Sequence, residues 1–110
     1  MHDFAYHRPA SVADAAKALQ AASDGKLVAG GMTLVPTMKQ RLAAPSDLID
    51  LGGIAELKGI KAEGGGLVIG ALTTHAEVAR SSLVKQTIPA LAALADGIGD
   101  PAVRNRGTIG

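Results

Sequence analysis

Lys26-Leu27-Val28-Ala29-Gly30-Gly31-Met32-Thr33-Leu34 is the stretch on which the fold turns. Lys26 to Ala29 reads as a short strand buried on both faces. It stops at paired glycines, and Thr33 is placed to cap a helix whose first turn holds Pro36, where a missing N–H costs nothing. Two readings of the glycines stay open. Without side chains they let backbone pass close to a ligand, and successive N–H groups leading into a helix start form a concave donor array suited to phosphate, with the Thr33 hydroxyl as a further donor. Alternatively they only permit positive φ in a plain strand-to-helix turn. The spacing is neither that of the G-x-G-x-x-G dinucleotide fingerprint nor that of a P-loop.

Outward from this stretch the punctuation stays legible. Upstream, Ser11 and Asp14 resemble a capping box, and Val12, Ala15, Ala16, Leu19 and Ala22 give a helical stripe that ends near Asp24-Gly25, with Gly25 in the left-handed C′ position. Downstream, a helix over about Leu34 to Leu42 closes before Pro45, and Asp47 to Leu51 is the next strand, broken by Gly52-Gly53. Ile60 to Glu63 and Leu67 to Gly70 flank three consecutive glycines and predict a hairpin. Thr74 and Glu77 form a capping box for a helix to about Arg80, and Pro89 opens another carrying Leu91, Ala92, Leu94 and Ala95. From Asp96 onward turn formers dominate. Helix, strand, helix, strand, hairpin, helix, helix and loop predict an α+β (or α/β) class with a small mixed sheet flanked by helices. Because the text breaks off after an apolar pair at Gly110, residues 1–110 are expected to be the N-terminal portion of one domain, with the chain ending inside it.

Composition excludes several functions. The 110 residues are 47% hydrophobic but only 2% aromatic, so the core is aliphatic. Eleven basic against ten acidic side chains, with no block of like charge, exclude an electrostatic nucleic-acid binder, and the lack of aromatic platforms excludes single-strand stacking. No apolar run reaches the roughly 18 residues of a transmembrane segment, and no cationic leader precedes an apolar one, so a cytoplasmic location is expected. With no Cys, thiol nucleophiles and iron–sulfur clusters held by this chain are excluded. His2, His7 and His75 lack metal-ligand spacing, the serines lack a nucleophile-elbow context, and the carboxylates are scattered. Gly107-Thr108-Ile109-Gly110, after a loop bearing Arg104 and Arg106, reads either as a second ligand-closing turn or as a surface turn. The arginines are candidates to neutralise a ligand, to stay solvated, or to pair with Asp96 and Asp100. Ligand-cradling backbone with little catalytic side-chain chemistry points to a cofactor that does the chemistry.

The residues resemble the FAD-binding subunit of molybdenum hydroxylases, as in the medium chain of carbon monoxide dehydrogenase and the flavin subunit of xanthine dehydrogenase. The resemblance runs through Phe4-Ala5-Tyr6-His7-Arg8-Pro9, Lys26 to Pro36, Asp47-Leu48-Ile49-Asp50-Leu51, Ile69 to His75 and Gly99 to Gly110. It implies the N-terminal lobe of a vanillyl-alcohol-oxidase-type (PCMH-type) FAD domain. It implies that Ala29, Gly30, Gly31, Met32 and Thr33 meet the FAD diphosphate through backbone N–H groups and a hydroxyl, with Lys26, Leu27, Val28 and Leu34 at the edges. Thr108, Ile109 and Gly110 would begin a second contact loop, and Ile98 matches a position that approaches the flavin ring. No catalytic side chain and no metal ligand is implied here. The family's second motif continues with Gly-Asn or Gly-Ser, so this chain alone is expected to bind FAD weakly or not at all and to be inactive. The implied enzyme is an FAD-dependent oxidoreductase. Its flavin takes electrons from the 2Fe-2S clusters of an iron–sulfur small subunit, which draws them from the molybdenum cofactor of a large subunit, and passes them to NAD, quinone or oxygen. The rival is a small cofactor-free α/β interaction or assembly module.

Overall fold

The computed structural model describes all residues, 1–110, as two compact units, 1–55 and 56–110. In the first, β1 (Ala5–His7), β2 (Gly25–Val28) and β3 (Asp47–Asp50) form a parallel sheet in the order β1-β3-β2. The helices α1 (Val12–Ala21) and α2 (Leu34–Lys39) supply the crossovers that parallel strands need. Leu48 and Ile49 of the central strand are the buried heart of this unit, together with Met38 and Ile54.

Two expectations for β2 are corrected. It is an edge strand, with Lys26 exposed and Leu27 at 48% exposure, because β3 and not β2 takes the middle of the sheet. Gly25 does not end α1 in a left-handed conformation. The helix stops at Ala21 with an extended Ala22, and Gly25 opens β2. A Cβ on Gly25 would stand 3.0 Å from Ala22 Cβ, 3.1 Å from Leu19 Cδ1 and 3.2 Å from Ile49 Cδ1. Its missing side chain is what lets α1 close onto the sheet.

Helix α2 is shorter than its apolar pattern suggests. It ends in a Schellman turn, in which Leu42 N–H donates to Thr37 O and Arg41 N–H to Met38 O, each at 3.0 Å. The left-handed position, ordinarily a glycine, is Arg41 with φ 59°. A side chain there costs about 1–2 kcal/mol. Arg41→Gly is therefore expected to stabilise the chain, by about 1 kcal/mol after allowing for the extra freedom glycine gives the unfolded state. Urea denaturation measures it, and an unchanged or lowered midpoint would count against the turn.

In the second unit β4 (Ile60–Glu63) and β5 (Gly66–Ile69) form the expected hairpin. Gly64 and Gly65 both have positive φ, 58° and 82°, as a type I′ turn requires. Four helices follow: α3 (His75–Arg80), α4 (Ser82–Thr87), α5 (Pro89–Asp96) and α6 (Pro101–Arg104). Val78, Ala79, Val84, Ala92 and Ala95 form the core, against which Ile60, Leu67 and Ile69 of the hairpin pack. The α+β class holds, but the strands make one parallel and one antiparallel sheet instead of a single mixed one. The tight glycine turn pairs β4 with β5 alone.

The Thr74 cap is as expected, its hydroxyl oxygen accepting from Glu77 N–H at 3.2 Å. Five short elements lie outside the sequence reading. β1 is only three residues long; 3-10 turns span Leu51–Gly53 and Ala55–Leu57, so the third strand ends at Asp50 and not at Leu51; α4 is capped by Ser81, whose Oγ accepts from Val84 N–H; α6 is capped by Asp100, with Pro101 at its first position. No helix is long and apolar enough to cross a membrane.

Candidate functional site

The parallel register aligns Val28 with Asp50, so the loop from Ala29 to Thr33 leaves the sheet at the C-terminal ends of its strands and enters α2. That edge is where open parallel sheets receive ligands. Gly31 has φ 74°, and a Cβ there would lie 3.0 Å from Val35 Cγ2. Its carbonyl accepts from Val35 N–H at 3.0 Å. The N–H groups of Gly31, Met32 and Thr33 donate to no acceptor in the chain, and Met32 and Thr33 are exposed. Three consecutive amides without partners, beside a glycine whose missing Cβ keeps the loop open, are a donor set fitted to a diphosphate.

Thr33 departs from its expected part. It occupies the cap position of α2 in an αR conformation and its side chain makes no cap bond, so the hydroxyl is left over for a ligand. Ala29 and Gly30 are half-buried in the loop, and Val28 and Leu34 half-buried on either side of it. Lys26 Nζ lies 3.8 Å from Asp24.

The second predicted segment lies in the second unit and is built differently. Thr108 bridges Thr74: His75 N–H donates to Gly107 O at 3.0 Å and Ile109 N–H to Thr73 O at 2.9 Å. Gly110 N–H donates to Ala71 O at 3.0 Å. The amides of Ile109 and Gly110 are thus consumed by the fold, and only that of Thr108 donates to nothing in the chain. A Cβ on Gly110 would lie 2.5 Å from Ala71 Cβ, so this glycine serves close backbone approach within its own unit. Arg104 pairs with neither Asp96 nor Asp100. Its Nη1 donates to Gly99 O at 2.7 Å and to Ile98 O at 3.3 Å, and Asp100 caps α6.

Carboxylates fasten the sheet that carries the glycine loop, a role that residue spacing did not reveal. Asp50 accepts from the Tyr6 hydroxyl and from Gly52 N–H, with Arg8 Nε at 3.7 Å. The hydrogen bond to Asp50 raises the Tyr6 phenol above its ordinary pKa. Asp47 joins β3 to β1 through His7 Nε2 at 2.7 Å and accepts from Ser46 Oγ at 2.6 Å, while Ser46 Oγ accepts from Asp24 N–H. The Ser46 hydrogen bond, then that of His7, holds the Asp47 carboxyl below the usual carboxylate range.

A depressed folded-state pKa contributes stability that is present above the unfolded value, about 3.9, and is lost as pH falls through the lower folded value. Asp47→Asn is accordingly expected to lower the thermal midpoint at neutral pH and to shallow its decline below about pH 4. Parallel acid limbs for the two proteins would refute this.

Residues 2–110 match the family described as the FAD binding domain in molybdopterin dehydrogenase. The chain belongs to this family. It is 51% identical over 108 residues to the carbon monoxide dehydrogenase medium chain of Hydrogenophaga pseudoflava, covering 97% of this chain and 38% of that one. It is 38% identical over 112 residues to the xanthine dehydrogenase FAD-binding subunit of Escherichia coli O157:H7, covering 100% of this chain and 38% of the relative. Among solved structures, carbon monoxide dehydrogenase from Hydrogenophaga pseudoflava superposes with a TM-score of 0.94 at 51% identity, over 97% of this chain and 38% of that chain. Quinoline 2-oxidoreductase from Pseudomonas putida 86 superposes at 0.92 with 36% identity, over 96% and 37%. The chain spans under two-fifths of the length of these relatives. Membership of a family of FAD-binding domains agrees with the free amides at Gly31, Met32 and Thr33.

Proposed function

We propose that residues 1–110 are the N-terminal portion of the FAD-binding subunit of a molybdenum-containing hydroxylase or dehydrogenase. In this reading the subunit relays electrons from the 2Fe-2S clusters of a small subunit, supplied by the molybdenum cofactor of a large one, to NAD, quinone or oxygen. The observation that carries the reading is the row of unpartnered amides from Gly31 to Thr33 at the start of α2.

When bound, the flavin supplies the electron-accepting and electron-donating chemistry. The chain's own part is to bind and orient. The amides of Gly31, Met32 and Thr33 and the Thr33 hydroxyl face the diphosphate, and the positive end of α2 adds to their field. Lys26, Leu27 and Val28 bring the loop to the ligand along β2, Ala29 and Gly30 lead into its turn, and Leu34 seats it on α2. Of the second segment, Thr108 keeps a free amide, while those of Ile109 and Gly110 are engaged within their own unit. Exposed Asp and Glu side chains of this chain take no catalytic role.

The test compares the intact subunit with residues 1–110 alone. The intact subunit is expected to purify yellow with about one FAD each and, with its partner subunits, to carry iron and molybdenum. The 110-residue chain is expected to quench FAD fluorescence at least 100-fold more weakly. A stable, colourless intact subunit that FAD titration leaves unchanged would overturn the flavin reading and favour a cofactor-free assembly module.

A further inference from the structure

The amides of Gly31, Met32 and Thr33 are neutral donors, whereas a diphosphate is an anion whose natural complement includes a cation. Lys26 is drawn to Asp24 at the opposite end of β2, Lys17 lies midway along α1, and Lys39 and Arg41 come at the far end of α2. Arg8 directly follows β1. It is the one arginine or lysine of the first unit at the edge where the glycine loop leaves the sheet.

Its side chain is laid toward the middle of that edge. The register pairs His7 with Ile49, which sets Arg8 level with Asp50, and Asp50 is the partner of Val28 at the end of β2. Asp50 belongs to the central strand, and its Oδ2 stands 3.7 Å from Arg8 Nε. The carboxylate thus draws the guanidinium from β1 to the strand beside β2, a step of roughly 5 Å. Gly52 and Gly53 give it a bed: a Cβ on Gly53 would lie 3.5 Å from Arg8 Cγ, and one on Gly52 3.5 Å from its Nη2. Asp50 is itself held, its Oδ1 accepting from Gly52 N–H at 2.8 Å and its Oδ2 from the Tyr6 hydroxyl. At 3.7 Å the ion pair is too long for a hydrogen bond, so every N–H donor of Arg8 goes unspent within the chain. An oriented guanidinium with all its donors available suits planar, bidentate recognition of phosphate, because part of the ordering cost is met before the ligand arrives.

Resting on the flavin reading above, we propose that Arg8 is a further binding residue for the FAD diphosphate. Its Nη groups donate to phosphate oxygens that the glycine-loop amides also hold, and Asp50, braced by Tyr6 and Gly52, is the positioning residue that aims it. The N-terminal strand then carries part of the site as well as completing the sheet.

The intact subunit, stripped of flavin, is titrated with FAD at low and high salt beside its Arg8→Gln, Arg8→Lys, Asp50→Asn and Lys39→Gln variants. Lys39→Gln removes an equal charge from an exposed position at the other end of α2 and is expected to bind within about twofold of wild type. Arg8→Gln is expected to weaken FAD binding roughly 10- to 100-fold at low salt and to flatten its salt dependence. Arg8→Lys keeps the charge but loses the fork, and is expected to fall between. Asp50→Asn supplies a sign: if the carboxylate only repels the ligand, binding tightens, whereas loss of aim weakens it severalfold, the expected result. An Arg8→Gln subunit that binds like wild type, or no worse than Lys39→Gln, would sink the part given to Arg8 and leave the flavin reading standing. Weaker binding with the salt dependence of wild type would make the arginine a structural brace and overturn the proposal too. A wild-type subunit that binds no FAD would sink both.

Discussion

Replacing Gly31 with valine is expected to leave the intact subunit folded and strip it of flavin. At φ 74° a β-branched side chain is in its least tolerated backbone region, and its Cβ would stand 3.0 Å from Val35 Cγ2. The strain is relieved by rotating the loop at Gly31, where the amides of Gly31, Met32 and Thr33 bind nothing inside the chain to hold it. That rotation turns the N–H groups of Gly31, Met32 and Thr33 away from a common point. Hydrogen bonds to a charged acceptor are worth about 1.5–3 kcal/mol each, so losing two of them weakens FAD binding by roughly 10² to 10⁴. Gly31→Ala is expected to fall between wild type and valine. Met32→Ala, which keeps the amide, is expected to bind within a few-fold of wild type. The ratio of visible flavin absorbance to protein, with Kd from fluorescence quenching, measures all three. Stoichiometric flavin in the valine variant at wild-type affinity would remove the glycine loop from the site.

The parts of this molecule that were legible beforehand are those fixed by neighbours in the sequence. Gly64-Gly65 makes a hairpin whatever surrounds it, and Thr74 with Glu77 caps a helix from four residues of context. Gly30-Gly31 is visible as a break between strand and helix, but not that the amides of Gly31, Met32 and Thr33 stay unpaired, which depends on what the rest of the fold offers them. The misread features are those decided at long range. Gly25 looks like a helix terminator until Ile49, twenty-four residues on, is seen to need its missing Cβ. Leu27 looks buried until the sheet order places β3 in the middle. The tetrapeptide ending at Gly110 looks as available to a ligand as the first glycine loop. Yet Ala71 and Thr73 take two of its amides, a pairing across more than thirty residues. Asp100-Pro101 was readable as a cap and first turn, and the surrounding glycines concealed it.

That pairing makes Gly70 the position where one methyl group should do most harm. Its Cβ would lie 2.6 Å from the carbonyl carbon of Leu57 and 2.9 Å from Lys58 N, and it would collide with the Leu57 oxygen, so the clash is with backbone that cannot swing aside. The same two segments are tied by Gly70 N–H to Gly59 O at 2.8 Å and by Leu72 N–H to Leu57 O at 2.9 Å, and separating them breaks both. Thr73, fully buried, would then lose the contacts of its hydroxyl with Gly59 N–H and O. Overpacking together with lost buried hydrogen bonds costs about 3 kcal/mol or more, a large share of a small domain's stability. Gly70→Ala is expected to lower the urea midpoint by that amount or leave the second unit unfolded. Gly66→Ala, whose Cβ would meet nothing closer than Glu63 O at 3.8 Å, is expected to change stability by under about 1 kcal/mol. Because Ala71 and Thr73 hold Gly110 and Ile109, hydrogen exchange at those two amides should accelerate in the Gly70 variant even under conditions where α3 remains protected. Equal midpoints for the two alanine variants would show that the 57–59 and 70–72 segments do not meet as described, and the placement of the Thr108 segment would fall with them.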